Sequence, residues 1–340
     1  MVIIRSRPVI ISIVLTSFLV SGSGCKRGRG KVLETAYVSA PQAILRDRVA
    51  AVFNKTGVVK NGDQVQVLEH ERRFVRVRTA NGTEGWVEQR YLVSQQVFDG
   101  FKKLEQDAHT MPVQGTATAR NDSNLHLEPG RDTEHLYQVP SGSKVSFLKR
   151  GTVEKVLPGE APKAKTTDSG EPAKPVPMED WWLVRDAQGH VGWVLARMVD
   201  LDVPLEIAQY AEGQRIVGFY VLNEVGDADK KVPQYLVLMS EPKDGMPFDV
   251  NQIRVFTWNV KRHRYETAYR EHDVNGVLPV TVSQENFDKE GMLPVFVIRV
   301  KDDDGNVREK KYKLNTPIVK RVLAPGEEPV KSSAAKRRRR

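Results

Sequence analysis

The chain alternates apolar and polar residues with period two over Gln64–Leu68 and again over Phe74–Arg78. That is the pattern of strands with one face buried. Asn61-Gly62-Asp63 precedes the first run and Asn81-Gly82 follows the second, and both are tight-turn signals. Val38 to Leu45 reads as an opening strand, and an apolar run at Ala50–Phe53 leads to a Thr56-Gly57 turn. Gly85-Trp86-Val87 reads as a short strand and Tyr91-Leu92 as the close. Short strands joined by glycine turns within about sixty residues predict a small β barrel over 35–93.

The period then changes. Val97, Phe101, Leu104 and Ala108 fall on one helical face, which predicts a helix within the linker 94–114. An apolar helical face of this kind packs between two small domains. Gly100 weakens the helix by about 1 kcal/mol relative to Ala. The first pattern returns over 115–203: Asn124-Leu125-His126 stands in the place of Ile44-Leu45-Arg46, Ser141-Gly-Ser-Lys-Val145 restarts a strand, and Trp182-Leu-Val-Arg185 leads through Gln188-Gly189 to Gly192-Trp193-Val194. Each repeated glycine predicts a close strand approach, and each following Trp, Trp86 and Trp193, is expected to plug its barrel. An insertion over 152–178 separates the second copy from the first. It is proline-rich, polar and without apolar periodicity, which predicts disorder or a polyproline-like coil.

Over 204–325 seven stretches read as strands: Arg215–Leu222, Gln234–Ser240, Ile253–Trp258, Tyr265–Arg270, Gly276–Val282, Pro294–Val300 and Val307–Leu314. Pro242-Lys-Asp-Gly245, Asn275-Gly276 and Asp303-Asp-Gly-Asn306 separate them as turns. Seven strands over this length fit an antiparallel sandwich or barrel. The Asp302–Asn306 run lacks the alternating acidic spacing and distant glutamate of a calcium loop. The fold class expected for the whole chain is therefore all-β, with two barrels joined by a short helix and a C-terminal β domain.

The formal charge is +9, but six basic groups without an acid lie in Lys331–Arg340 and two more, Arg5 and Arg7, in the first 24 residues. The body is left near neutrality, which argues against a nucleic-acid footprint spread over the fold. The stretch 326–340 reads as a disordered tail whose Lys336–Arg340 cluster suits anionic polymers or lipid. Cys25 is the sole cysteine. It excludes an intramolecular disulfide and a zinc site built of several thiolates. Before it stand a positive start, an apolar core of thirteen residues from Pro8 to Val20, and Ser21-Gly-Ser-Gly24. The core is shorter than the about 20 residues of a spanning helix and suits a signal peptide over 1–24.

These three parts resemble the lipobox of bacterial lipoprotein precursors, with Gly22 where that family usually has an aliphatic residue. The resemblance implies cleavage before Cys25, acylation of Cys25, and a membrane anchor followed by a basic leash over 25–34. Lys26 after the cysteine implies sorting to the periplasmic face of an outer membrane if the cell has two membranes. Leu45-Arg46, Gly62-Asp-Gln-Val65, Val77 through Val87, and Tyr91-Leu92 together resemble the bacterial Src-homology-3 (SH3-like) domain, and the second copy repeats that set. The resemblance implies non-catalytic binding of peptidoglycan, a peptide or a protein in the cell envelope. Arg72, Arg73, Phe74, Trp181 and Trp182, near the parts where the two copies differ, are the expected ligand contacts. The alternative is an assembly lipoprotein whose C-terminal domain docks an envelope complex, with the barrels as spacers. The seven histidines are scattered and the one thiol is at the processing position, so the sequence offers no catalytic constellation, no metal site and no cofactor motif.

Overall fold

The computed structural model describes residues 31–49, 54–156, 176–302, 304–324 and 326. The signal segment, Cys25, most of the basic leash, Ala50–Phe53, the centre of the insertion and the basic tail lie outside the described residues.

The first barrel is a seven-stranded antiparallel sheet of β1 (Glu34–Val38), β2 (Gln42–Arg46), β3 (Lys55–Lys60), β4 (Gln64–Glu71), β5 (Phe74–Thr79), β6 (Glu84–Glu88) and β7 (Leu92–Ser94). Their spatial order is β3-β2-β6-β5-β4-β1-β7. Two local expectations need correction. The single opening strand is two strands, β1 and β2, and Gly57 lies inside β3 rather than in a turn. A Cβ on Gly57 would come within 3.0 Å of Thr83 Cγ2, so that glycine serves close strand packing.

After α1 (Gln95–Ala108) the chain forms β8 (Gly115–Ala119), β9 (Ser123–His126), β10 (His135–Val139), β11 (Lys144–Glu154), β12 (Met178–Arg185), β13 (Val191–Leu195) and β14 (Val199–Leu201). Their order is β10-β9-β13-β12-β11-β8-β14, so each strand of the first sheet has its counterpart seven numbers later. The register matches too. Arg46 pairs with Trp86 and His126 with Trp193; Val77 pairs with Gly85 and Val184 with Gly192. Core positions alternate along the strands in both. The first core holds Leu45, Val65, Val67, Val75, Val77 and Val87; the second holds Leu125, Val145, Phe147, Val184 and Val194. Leu45 is fully buried, and truncation to Ala would cost about 2–5 kcal/mol.

The two repeated glycines do what their spacing predicts. A Cβ on Gly85 would lie 2.7 Å from Leu45 Cβ, and one on Gly192 would lie 2.6 Å from Leu125 Cβ. No side chain fits between these crossing strands.

Helix α1 starts at Ser94, whose hydroxyl accepts the Val97 N–H at 3.4 Å. It lies between the barrels, burying Phe101 and Ala108. Phe98 stacks on Tyr37 of the first barrel at 3.9 Å, and Phe101 meets Tyr137 of the second edge-on at 5.5 Å. Gly100 lowers helix propensity, yet a Cβ there would sit 2.9 Å from Leu127. Close approach to the second barrel explains the glycine.

The short helix α2 (Leu205–Ala208) precedes the third sheet: β15 (Arg215–Asp227), β16 (Lys230–Ser240), β17 (Val250–Asn259), β18 (Arg264–Asn286), β19 (Met292–Lys301), β20 (Val307–Asn315) and β21 (Ile318–Val322). Each pairs with the next in an antiparallel meander. Two expected strands, Tyr265–Arg270 and Gly276–Val282, are one long β18, and β21 is an added strand. Asn275-Gly276 marks a bend in β18 instead of a turn. Gly276 pairs with Val250 of β17 and with Val300 of β19. Asp273 and Asn275 beside it take φ of +54° and +49°. The sheet folds over at this bend, so that Leu236, Leu238, Ile253 and Val255 share one core with Phe296, Ile298, Tyr312 and Leu314. On the outer face of β16, Tyr235, Val237 and Met239 pack with Phe256 under Ile207 of α2.

A buried ionic network ties the second barrel to this sheet. Arg150, fully enclosed, donates to Asp180 at 3.1 Å, Asp249 at 2.8 Å and the Met246 carbonyl at 2.8 Å. Arg215 reaches the other Asp180 oxygen at 3.1 Å. Burial pushes the Asp180 carboxyl up, but the bonds from Arg150, the Gly245 N–H and the Thr152 hydroxyl outweigh it and hold it below the usual carboxylate range. Gln114 in the linker adds a second tie: its Oε1 accepts the Val280 N–H at 2.7 Å.

Candidate functional site

The Gly-Trp-Val repeat sets two tryptophans at equivalent positions. In β6, Gly85 and Val87 face the barrel core, so alternation turns Trp86 outward, and the same holds for Trp193 in β13. Trp86 is only partly buried, contrary to expectation, whereas Trp193 is buried as expected, though in a cluster on the outer side of its barrel; Val87 and Val194 face the barrel interiors.

The neighbours of the two tryptophans differ sharply. Around Trp86 stand Arg76 across the ladder and Glu84 two residues before, joined at 2.9 Å. Arg78 also holds Glu84, at 2.8 Å. The Arg78 bond, with Arg76 beside it, keeps the Glu84 carboxyl below the usual carboxylate range. Asp47 and Thr56 complete a shallow groove of about 350 Å³ beside the partly buried Trp86. It presents an aromatic surface flanked by both signs of charge, suited to stacking on an apolar face while bonding polar groups around it.

Around Trp193 the matching positions are apolar. Leu183 replaces Arg76 and Val191 replaces Glu84 in register. Trp193 is 8% exposed and packs with Trp181, Leu183, Val191 and Ala108 of α1. A Cβ on Gly151 of β11 would come within 2.7 Å of the Trp193 ring, so that strand also lies against it. His126 meets Trp181 edge-on at 5.2 Å. Burial, then the nearby His135, lower the His126 pKa to about 4.

The five expected contacts fall on two barrels and do not converge. Arg72 and Arg73 are exposed at the β4–β5 turn, where Arg72 takes φ of +53°. Phe74 is buried beneath the Arg73 guanidinium, 5.4 Å from its ring centroid. Trp181 is 2% exposed, walled in by the second barrel's outer cluster. Both aromatics were expected to be exposed; the covering of each ring removes them as free contact surface. Trp182 is half-buried against Phe147. Trp86, expected in the core, instead lines a surface groove. Its sequence signal was the pair of charged residues at Arg76 and Glu84, where the second copy has Leu183 and Val191. Among the described residues no group of three His, Cys, Asp or Glu is placed to hold a metal ion, and no helix is long and apolar enough to cross a membrane.

Residues 44–93 match the family model of the bacterial SH3 domain. The first barrel is therefore a bacterial SH3 domain, and the second shares its strand order and register. No curated protein matches the chain. Among solved structures, an NlpC/P60 family protein from Bacillus cereus is 12% identical, with a TM-score of 0.23, covering 56% of this chain and 65% of that one. NlpC2 from Trichomonas vaginalis is 11% identical, with a TM-score of 0.17, covering 81% of this chain and 91% of that one.

Proposed function

We propose that the protein is a non-catalytic binding component of the bacterial cell envelope, whose first SH3 domain holds its ligand on the Trp86 face. The observation that carries this reading is the partly accessible Trp86, which lines a groove with Arg76 and Glu84, set against its buried counterpart Trp193. Peptidoglycan is the ligand we favour within the class of glycan, peptide and protein ligands. It offers apolar sugar faces and methyl groups for the indole and charged stem peptides for the ions. The second barrel, a second SH3-like domain in this reading, serves as a buttress, because α1 and its own β11 cover the matching face. Acylated Cys25 would hold the assembly on a membrane, on the periplasmic face of the outer membrane in a two-membrane cell, with Lys336–Arg340 free to touch anionic polymers. The ionic ties between the second barrel and the C-terminal sheet also support the assembly reading for that half, in which the sheet docks an envelope protein.

Co-sedimentation with purified sacculi tests the binding claim. The protein should pellet with sacculi and Trp86→Ala should remain in the supernatant at an unchanged melting temperature. Failure of the unaltered protein to pellet, or equal pelleting of the variant, sinks the reading. Radiolabelled palmitate should be incorporated by the natural chain and not by Cys25→Ser; equal absence in both would remove the anchor.

A further inference from the structure

A second concavity lies where the second barrel meets the C-terminal sheet, away from the Trp86 face. Its volume is about 430 Å³, within the ~300–1,000 Å³ range of small-ligand pockets. Phe147 and Trp182, with ring centroids 5.1 Å apart, form the barrel wall, and Ile216 and Val217 of β15 form the opposite one. Ala208 and Ala211 close one side, and their small side chains leave the space open.

The rim carries the only charged groups of the lining. Arg120 is held by both Asp200 carboxylate oxygens. Arg215 is held by Asp180 and Asp244. Arg197 makes no ion pair among the described residues, and Glu179, whose carboxyl it helps to hold low, is already bonded to Arg131 at 2.8 Å. The site therefore joins a hydrocarbon and aromatic interior to one uncompensated cation at its mouth. A sugar or peptide would lose hydrogen bonds on entering such walls. A ligand with an apolar body and one anionic head would bury only hydrocarbon against these walls, and the Arg197 guanidinium would replace the water given up by its head.

We propose that this cavity binds a single-chain carboxylate amphiphile, with the chain between Trp182 and Ile216 and the head on Arg197. It is a site separate from the envelope-ligand face and holds whether or not that face binds peptidoglycan.

Isothermal titration of the full chain with octanoate, decanoate and decanol tests it. Decanoate should bind at one site, about tenfold tighter than octanoate, because two more methylenes leave water. Arg197→Glu, at an exposed position, should weaken decanoate at least tenfold and leave decanol unchanged. Ala208→Trp should abolish both, with near-ultraviolet circular dichroism checking that the variant is folded. Anionic lipid vesicles separate a dissolved carboxylate from a membrane source. The proposal is overturned by an absence of saturable decanoate binding, by binding to vesicles alone, or by Arg197→Glu binding decanoate as tightly as the natural chain.

Discussion

The two barrels have one topology and one register, yet they present opposite surfaces at the same place. In the first, the outer face of the β5–β6 hairpin carries Arg76, Glu84 and an accessible Trp86. In the second, the outer face of β12–β13 carries Leu183, Val191 and a covered Trp193. Two side-chain exchanges turn a polar face into a docking seat for α1. Inside the barrels the rules did not change: glycine at the crossing and Val at the inward positions recur in both. Shared architecture therefore says little about shared function, which rests on what covers the outer face.

The comparison breaks most severely at the tryptophans. Trp193→Ala should cost about 3–5 kcal/mol, as expected for a buried aromatic. Trp86→Ala should change stability by less than about 1 kcal/mol, near the range of surface substitutions. Thermal or urea unfolding of the two variants compares them, and equal losses would erase the proposed asymmetry. A second contrast lies at Arg150 and its register counterpart His70. Arg150→Ala leaves Asp180 buried without its main partner and should cost about 3–5 kcal/mol. His70, exposed beside Glu34 at 3.3 Å, should tolerate Ala within about 0.5 kcal/mol.

Smaller effects test where the barrels agree. Gly85→Ala and Gly192→Ala should each cost about 1–3 kcal/mol through overpacking at the strand crossing. A large loss in one and none in the other would mean the shared register fails. A titration tests the second barrel alone. His126 has a folded pKa of about 4, below the ordinary value of about 6.5. Its contribution to stability is therefore complete above about 6.5 and is lost as pH falls toward about 4. Its imidazole signals in NMR should still report the neutral ring at pH 5; a midpoint near 6.5 would contradict its burial beside Trp181.

Much of this was legible in the chain. Period-two runs, Asn-Gly turns and the returning Gly-Trp-Val gave the barrels, and the spacing of Val97, Phe101, Leu104 and Ala108 gave α1. Local pattern was weaker where tertiary contact decides. Asn275-Gly276 has the chemistry of a turn, but Gly276 is wedged between Val250 and Ile298, so the chain bends and continues. Trp181 and Phe74 flank variable loops, yet exposure depends on what the rest of the chain lays over them. Trp86 and Trp193 sit in the same tripeptide, and the residues beside them, Arg76 and Glu84 against Leu183 and Val191, distinguish them. The interdomain cavity had no sequence signal, since Phe147, Trp182, Ala208 and Ile216 come together only through the docking of two domains.

The most direct test labels the chain with 5-fluorotryptophan and follows each indole by fluorine NMR, assigned by single Trp→Phe variants, as soluble peptidoglycan fragments are added. The account predicts that the Trp86 signal shifts in a saturable way while the Trp193 signal stays in place. A shift at Trp193, or no shift at Trp86, would contradict it.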